Sequence, residues 1–137
     1  MLLSQLNRKE KLKFLDLAMH IAAVDGIPDV EEQRLLNMMV AEVGDDIIKE
    51  YHFSLGDNLE ETIKYFDNTH KDTKRIVYMN LFKISIMNQS YTTKEHFLLE
   101  NIRVRLGISE TKKVALIRIL YDERDLRAKA MKLVKGK

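Results

Sequence analysis

The chain has 137 residues, of which 45% are hydrophobic, and its formal net charge of +2 combines an acidic segment, net −9 over residues 25–61, with a basic one, net +9 from residue 71 onward. This length favours one domain, residues 1–137, and the lack of cysteine excludes disulfides and thiolate zinc sites and fits a cytoplasmic location. Charged residues interrupt every apolar run, so no stretch is long enough to span a bilayer, and the N-terminus lacks the order of a signal peptide.

Apolar residues recur at spacings of three and four, which predicts helices throughout and no strand. The first helix is expected to begin at Asn7, which forms a capping box with Glu10, and to end near Val24. The second covers residues 29–43. A short third helix is predicted within residues 45–53.

The pattern then predicts a helix that Asp57 and Glu60 open as a second capping box. A longer helix follows over about residues 72–87, then one over 93–106, and a basic C-terminal helix over 109–134. The prediction is therefore an all-α bundle of about seven helices.

Sliding the sequence against itself by 63 residues indicates an internal repeat. Repeat one covers residues 7–44 and repeat two covers 70–107, and each is a helix, a corner and a second helix. An αα-hairpin cannot bury its apolar face alone, so the two are expected to pack with pseudo-twofold symmetry. The matching positions are Ala18 with Leu81, Ile21 with Ile84, Glu32 with Glu95, Leu35 with Leu98, Val43 with Leu106, and Gly44 with Gly107.

Residues 17–44, LAMHIAAVDGIPDVEEQRLLNMMVAEVG, resemble the tellurite-resistance TerB family and its relatives, which include the N-terminal domain of some DnaJ-like co-chaperones. Residues 81–109, LFKISIMNQSYTTKEHFLLENIRVRLGIS, resemble the second half of that family. The resemblance implies a compact helical domain with no known enzymatic reaction, and acids at the helix corners suspected of metal binding. It carries over to Asp25, Gly26, Glu32 and Glu95. The second corner has Asn88-Gln89 where Asp-Gly is usual, which speaks against two symmetric metal sites.

The two corners also have a purely structural interpretation. Asp29 and Glu32 fit a D-x-x-E capping box, and Thr92 and Glu95 repeat it as T-x-x-E. Acids are also favoured at the positive end of a helix. The residues predicted to cap or stop helices are Asp29, Glu32, Glu95, Gly26, Gly44 and Gly107.

Capping does not explain Asp25, which lies at the C-terminal end of the first helix, where the macrodipole disfavours an acid. Its carboxylate could accept N–H groups of the following turn. Alternatively, Asp25, Glu31 and Glu32 could bind one hard cation, Ca²⁺ or Mg²⁺, through oxygen ligands. The corner is not an EF-hand, because Ile27, Val30 and Leu36 occupy positions that need a ligand, a glycine and a glutamate.

The sequence offers little for catalysis, so we predict no enzyme. It has no G-x-S-x-G motif, no cysteine nucleophile and no glycine-rich phosphate loop. Asp16 and His20, four residues apart on one helix, could be two metal ligands only if a third converges on them. A metal-dependent enzyme, with Asp25 joining this pair, is the alternative.

The C-terminal tail carries a second candidate surface, formed by Arg124, Arg127, Lys129 and Lys132. It could contact anionic lipid, bind nucleic acid or dock as a partner helix. The simpler interpretation is a final bundle helix with a frayed charged end. The function predicted is a non-enzymatic binding domain for unidentified protein partners, stress-related as the TerB resemblance implies. Its acidic corner is the expected recognition surface, nucleic acid is disfavoured for lack of a recognition motif, and a homodimer stays open.

Overall fold

The computed structural model describes residues 1–24, 30–44, 46–47, 58–87 and 91–136, without the side chains of residues 31, 32 and 87. These ranges contain six α-helices and no strand. The helices are α1 (Arg8–Ala23), α2 (Val30–Val43), α3 (Leu59–Tyr65), α4 (Lys71–Met87), α5 (Thr93–Arg105) and α6 (Glu110–Lys135). Single 3-10 turns at Leu3–Gln5 and Phe66–Asn68 flank α1 and α3.

Short polar side chains begin four of these helices. Asn7 and Glu10 form the predicted capping box, with both hydrogen bonds at 2.8 Å. Ser109 accepts from the backbone N–H of Lys112 at the start of α6. The start of α3 differs from the prediction: Asn58 is its N-cap and accepts from the Glu60 N–H, whereas Asp57 lies outside the described residues. Asn58 directly precedes the first helical residue, which is the position from which a side chain caps the first-turn N–H groups.

Left-handed glycines follow the ends of α2 and α5. Gly44 has φ +111° and Gly107 has φ +70°. After α5, the Gly107 N–H donates to the Val104 carbonyl and the Ile108 N–H donates to the Arg103 carbonyl. This pair of bonds is a Schellman motif, which satisfies two carbonyls that the helix leaves open.

Helix α4 forms the centre of the bundle. Every side chain from Val77 to Phe82 is buried, as are Ile84 and Ser85. It packs against α1, α2, α5 and α6, so neighbours cover it on all sides and not along a single stripe. The buried apolar residues of those four helices in the same core are Phe14, Leu15, Leu17, Ala18, Ile21, Ala22, Leu35, Leu36, Met39, Val40, Val43, Leu99, Ile102 and Leu120.

A buried polar residue of α4, Asn80, fixes the N-terminal segment to this core. Its amide donates to the carbonyls of Met1 and Ile76 at 2.8 Å, and its oxygen accepts from the N-terminal amino group at 3.1 Å. Glu42 of α2 accepts from the same amino group at 2.9 Å and from the Leu3 N–H at 3.0 Å. Asn80 is therefore satisfied in the core, as a buried amide must be.

The all-α prediction is confirmed, and the six helices of the described residues match six of the predicted ones in order. The short helix predicted in residues 45–53 lies mostly outside the described ranges. The internal repeat and its bounds stay predictions, although α1–α2 and α4–α5 are the helix pairs it requires. Each helix of the described ranges is too short or too polar to cross a lipid bilayer.

We expect Gly107→Ala to lower the free energy of unfolding by about 1 kcal/mol. Alanine would have to adopt the left-handed φ of +70°, while its Cβ would meet no atom within 4 Å, so the loss comes from the backbone alone. Urea unfolding followed by circular dichroism measures it. Gly107→Asn is the control and should lose less, since asparagine tolerates this region better. An alanine variant as stable as the parent would contradict the assignment.

Candidate functional site

The corner predicted to bind a cation lies mainly outside the described residues. The described residues end at Val24, the C-cap of α1, and resume at Val30, the first residue of α2. Asp25, Gly26 and Asp29 lie outside them. Glu31 and Glu32 occupy the first turn of α2, without described side chains. The cation site and these caps therefore stay predictions.

The corresponding residues of the second corner are better defined. Thr92 is the N-cap of α5, and its hydroxyl accepts from the Glu95 N–H at 3.2 Å. The Glu95 side chain is almost completely buried, at 1% exposure, with one carboxylate oxygen 3.3 Å from the Thr92 hydroxyl. Glu95 thus lies turned into the protein at the start of α5, and its predicted return bond to the Thr92 backbone N–H stays a prediction. Asn88 and Gln89 lie outside the described residues.

A transition-metal site at Asp16 and His20 requires a third ligand. Within the residues that the structure describes, no three histidine, aspartate or glutamate side chains are grouped so that they could hold one metal ion. The pair on α1 is therefore not joined by a third described ligand. Asp25, which the alternative of a metal-dependent enzyme would add, is outside the described ranges.

Four charged side chains join α5 to α6 and were not predicted. Arg103 donates to Glu100 at 2.6 Å, and Lys113 donates to the other oxygen of Glu100 at 3.2 Å. Arg103 also contacts Glu110 at 3.2 Å and donates to the Ile108 carbonyl at 2.7 Å. The Lys113–Glu100 and Arg103–Glu110 pairs cross between the helices around the turn at Gly107 and stabilise their relative orientation, whereas the Arg103–Glu100 pair lies within α5.

The charges in this cluster stabilise one another. The hydrogen bond from Arg103 lowers the pKa of Glu100 against the opposing effect of partial burial, and Lys113 lowers it further. The same hydrogen bond raises the pKa of Arg103. Burial, with a smaller contribution from Glu100, raises the pKa of nearby Tyr78, so its phenol stays neutral. The cluster therefore stabilises the packing of α6 against α5.

The outward face of α5 exposes two large apolar side chains. Phe97 is 66% exposed and Val104 is 64% exposed, seven residues apart on one face of the helix. The sequence contains a sign of this exposed face, because apolar residues occur on both faces of α5. We refer to Phe97 and Val104 with Asn101 between them as the α5 face. Single exposed apolar residues are common on protein surfaces, whereas several grouped on one face are the start of an apolar patch of the kind that binds a partner.

Phe97 is the outermost member of a row of neighbouring aromatic rings. The ring of His96 lies 5.8 Å from that of Phe97 and 5.9 Å from that of Tyr91, and the Tyr91 hydroxyl is 3.1 Å from His96 Nδ1. Tyr91 in turn contacts Phe82, which contacts the buried Tyr78. Burial, with smaller contributions from Glu100 and Glu95, raises the pKa of Tyr91 to about 12. Successive ring contacts therefore connect Phe97 to the core through His96, Tyr91, Phe82 and Tyr78.

The predicted basic surface lies on α6, which remains helical to Lys135. Arg124 stacks over the Tyr121 ring at 4.8 Å, and Arg127 contacts Glu123 at 3.2 Å. Glu123 also accepts from Lys83 of α4 at 2.8 Å, which is where α6 last contacts the bundle through a described ion pair. Lys129 and Lys132 lie beyond that point and are exposed.

An apolar groove of about 380 Å³ lies between the N-terminal segment, α4 and α6. Leu2, Ile76, Met79, Leu116 and Ile119 supply its apolar walls. Its polar lining residues are Gln5, Asp72 and Arg75. Ile119 is half exposed at the side of this groove, so the groove opens onto the exposed part of α6.

Comparison with known proteins supports the fold. No protein-family model matches the chain, and no curated protein matches it. Among solved structures, it is similar to a tellurite resistance protein from Nostoc punctiforme PCC 73102, with a TM-score of 0.69 and 21% sequence identity over 96% of this chain and 84% of the other. The fold expected from the TerB resemblance is thus confirmed, whereas a relation to DnaJ-like co-chaperones is not shown.

We expect Glu100→Gln to lower the free energy of unfolding by about 1–2 kcal/mol at neutral pH, because an amide cannot replace the charge-assisted hydrogen bonds of the carboxylate. Folding lowers the pKa of Glu100, so its contribution is complete above the unfolded pKa and is lost as the pH falls through the folded pKa. Urea unfolding at neutral pH and in strong acid should show the difference between variant and parent shrinking.

Glu60→Gln is the matched control for that experiment. It removes the more exposed ion pair of Glu60 with Arg105, at 2.6 Å, and should cost less than about 1 kcal/mol. A loss in Glu100→Gln that does not change with pH would contradict an ionised Glu100 as the centre of the cluster.

Proposed function

We propose that this chain is a non-enzymatic domain that binds a protein partner, and that the α5 face is the centre of its binding surface. The observation that carries this proposal is the exposed Phe97, held on a row of aromatic rings that continues into the core. A large side chain that already contacts a neighbouring ring loses less entropy when a partner covers it than one that makes no such contact. Aromatic anchors of this kind supply most of the binding energy at protein interfaces.

The similarity to a tellurite resistance protein supports the same class of function. A stress-related role is carried over from that protein as part of the proposal. The acidic segment between residues 25 and 61 supplies a second expected contact region, of which the structure describes the acids Glu42, Asp46, Glu60 and Glu61. Its charge would favour association with a basic partner and raise the rate of encounter.

The second part of the proposal is one divalent cation, Ca²⁺ or Mg²⁺, at Asp25, Glu31 and Glu32. It is supported by the end of α1 at Ala23 with Val24 as its C-cap, because Asp25 is the next residue in the sequence after that negative helix end. An acid there needs a compensating positive charge or hydrogen-bond donors. A bound cation would supply that charge, and the neighbouring acids could complete its oxygen ligands.

The protein-binding proposal predicts that Phe97→Ser with Val104→Ser weakens partner binding by more than about tenfold. Both side chains are exposed, so thermal unfolding should change little. Proteins recovered by native affinity purification would be compared between the parent, this double variant and Val114→Ser, a control that is also exposed, on α6. A partner lost only from the double variant supports the proposal. Equal recovery with all three proteins contradicts it.

The cation proposal predicts a heat of binding when Ca²⁺ or Mg²⁺ is titrated into the protein, and its loss in Asp25→Ala, because one of three oxygen ligands is removed. Asp46→Ala is the control, since it removes an exposed acid that is paired with Arg8 at 3.3 Å. Isothermal titration calorimetry decides between the two interpretations of Asp25. No binding by the parent, or equal binding by Asp25→Ala, leaves only the turn interpretation.

A further inference from the structure

The last part of α6 extends away from the bundle. Leu120 is the only residue of α6 that is buried, and every residue from Leu126 to Gly136 is exposed. Residues 126–135 are nevertheless helical and measure about 15 Å along the axis. We call this segment the α6 tail. Nothing described in this chain covers its sides.

The α6 tail is amphipathic. At about 100° per residue, Leu126, Ala130, Leu133 and Val134 fall within one sector of about 100°. The exposures of Leu126, Leu133 and Val134 are 68%, 84% and 80%. Ile119, one heptad before Leu126, lies on the same helix face and lines the apolar groove beside Leu2 and Met79. The acids Asp122 and Glu123 lie between Ile119 and Leu126. The continuous apolar sector of the tail therefore begins at Leu126.

Basic side chains border this apolar sector on both sides. On the same helical projection, Arg127 lies just beyond one edge and Lys129 just beyond the other, while Lys132 and Lys135 lie on the opposite face. No acid occurs after Asp125. The acids that precede the tail are Asp122, Glu123 and Asp125, of which Glu123 already contacts Lys83 and Arg127. The ion pair between Arg127 and Glu123 contributes little stability, because the Arg127 side chain is half exposed to water.

We propose that the α6 tail binds the surface of an anionic lipid membrane. The aliphatic side chains would enter the boundary between headgroups and acyl chains, and Arg127 and Lys129 would reach the lipid phosphates from the two edges of the sector. An anionic membrane accommodates both the apolar sector of the tail and the basic side chains at its edges. Nucleic acid would leave the apolar sector in water, and two tails packed in parallel would bring their like charges together.

Binding to vesicles tests this inference, because sedimentation separates bound from unbound protein. Vesicles of equal parts phosphatidylglycerol and phosphatidylcholine should bind the parent, and vesicles of phosphatidylcholine alone should bind it much less. Arg127→Gln with Lys129→Gln should weaken binding to the anionic vesicles roughly 20- to 30-fold, because each basic residue near an anionic surface strengthens binding about fivefold. Leu126→Gln with Leu133→Gln should weaken it at least about tenfold.

Lys132→Gln with Lys135→Gln is the matched control. It removes the same charge from the opposite face of the tail and should weaken binding clearly less than the loss of Arg127 and Lys129. If the two double substitutions weaken vesicle binding equally, binding does not depend on which helix face carries the charge, and the inference fails. It also fails if the parent does not sediment with anionic vesicles, or if the parent is a dimer that Leu126→Gln with Leu133→Gln separates.

Fluorescence can locate the helix face directly, because the chain contains no tryptophan. Leu133→Trp should show a blue shift in emission when anionic vesicles are added, whereas Lys132→Trp on the opposite face should not. Equal shifts, or none in Leu133→Trp, contradict the inference. The α5 face takes no part in these measurements, so failure here is distinguishable from failure to bind a protein partner.

Discussion

The burial of α4 on all sides is the constraint on which the rest of this structure depends. Four helices must cover it, and that requirement places α1, α2, α5 and the first half of α6 around one axis. Asn80 then extends the constraint to the N-terminus, because its buried amide is satisfied by Met1 and by the Ile76 carbonyl. A buried amide without those bonds would cost the desolvation of its polar atoms, so packing and polar satisfaction support each other at this position.

The two candidate surfaces, the α5 face and the α6 tail, lie on helices that ion pairs hold together. Glu100, Arg103 and Lys113 connect α5 to α6 across the Gly107 turn. Two ion pairs cross between these helices, one from Lys113 to Glu100 and one from Arg103 to Glu110, and they restrict the angle between the helices. A partner on the α5 face and a membrane at the α6 tail would therefore be held in a defined relative orientation.

Local physics explains why much of the fold could be predicted from the sequence. Asn7 with Glu10, Thr92, Ser109 and Gly107 mark helix ends through hydrogen bonds and φ preferences that involve neighbours in sequence. The burial of α4 on all sides over residues 77–82 could not be predicted in that way, because Asn80 and Lys83 interrupt the apolar pattern of the helix. Their partners, Met1 and Glu123, are distant in sequence, and a periodicity argument contains no such pairs.

The candidate surfaces were predicted less completely. The basic residues of the α6 tail are visible in the sequence, but its extension beyond the bundle depends on where α4 ends its contact with α6. The α5 face was missed because Phe97 and Val104 were not distinguished from core residues, and only packing shows that they face outward. Asp25 remains the corner residue that capping explains least.

Native-state hydrogen exchange read by NMR tests most directly whether α4 is the centre of this fold. Amides of residues 77–84 should exchange only through global unfolding and be the most protected in the chain, while those of residues 126–135 should exchange by local opening. Amides in the middle of α4 that exchange as fast as those of the α6 tail would contradict the central position of α4.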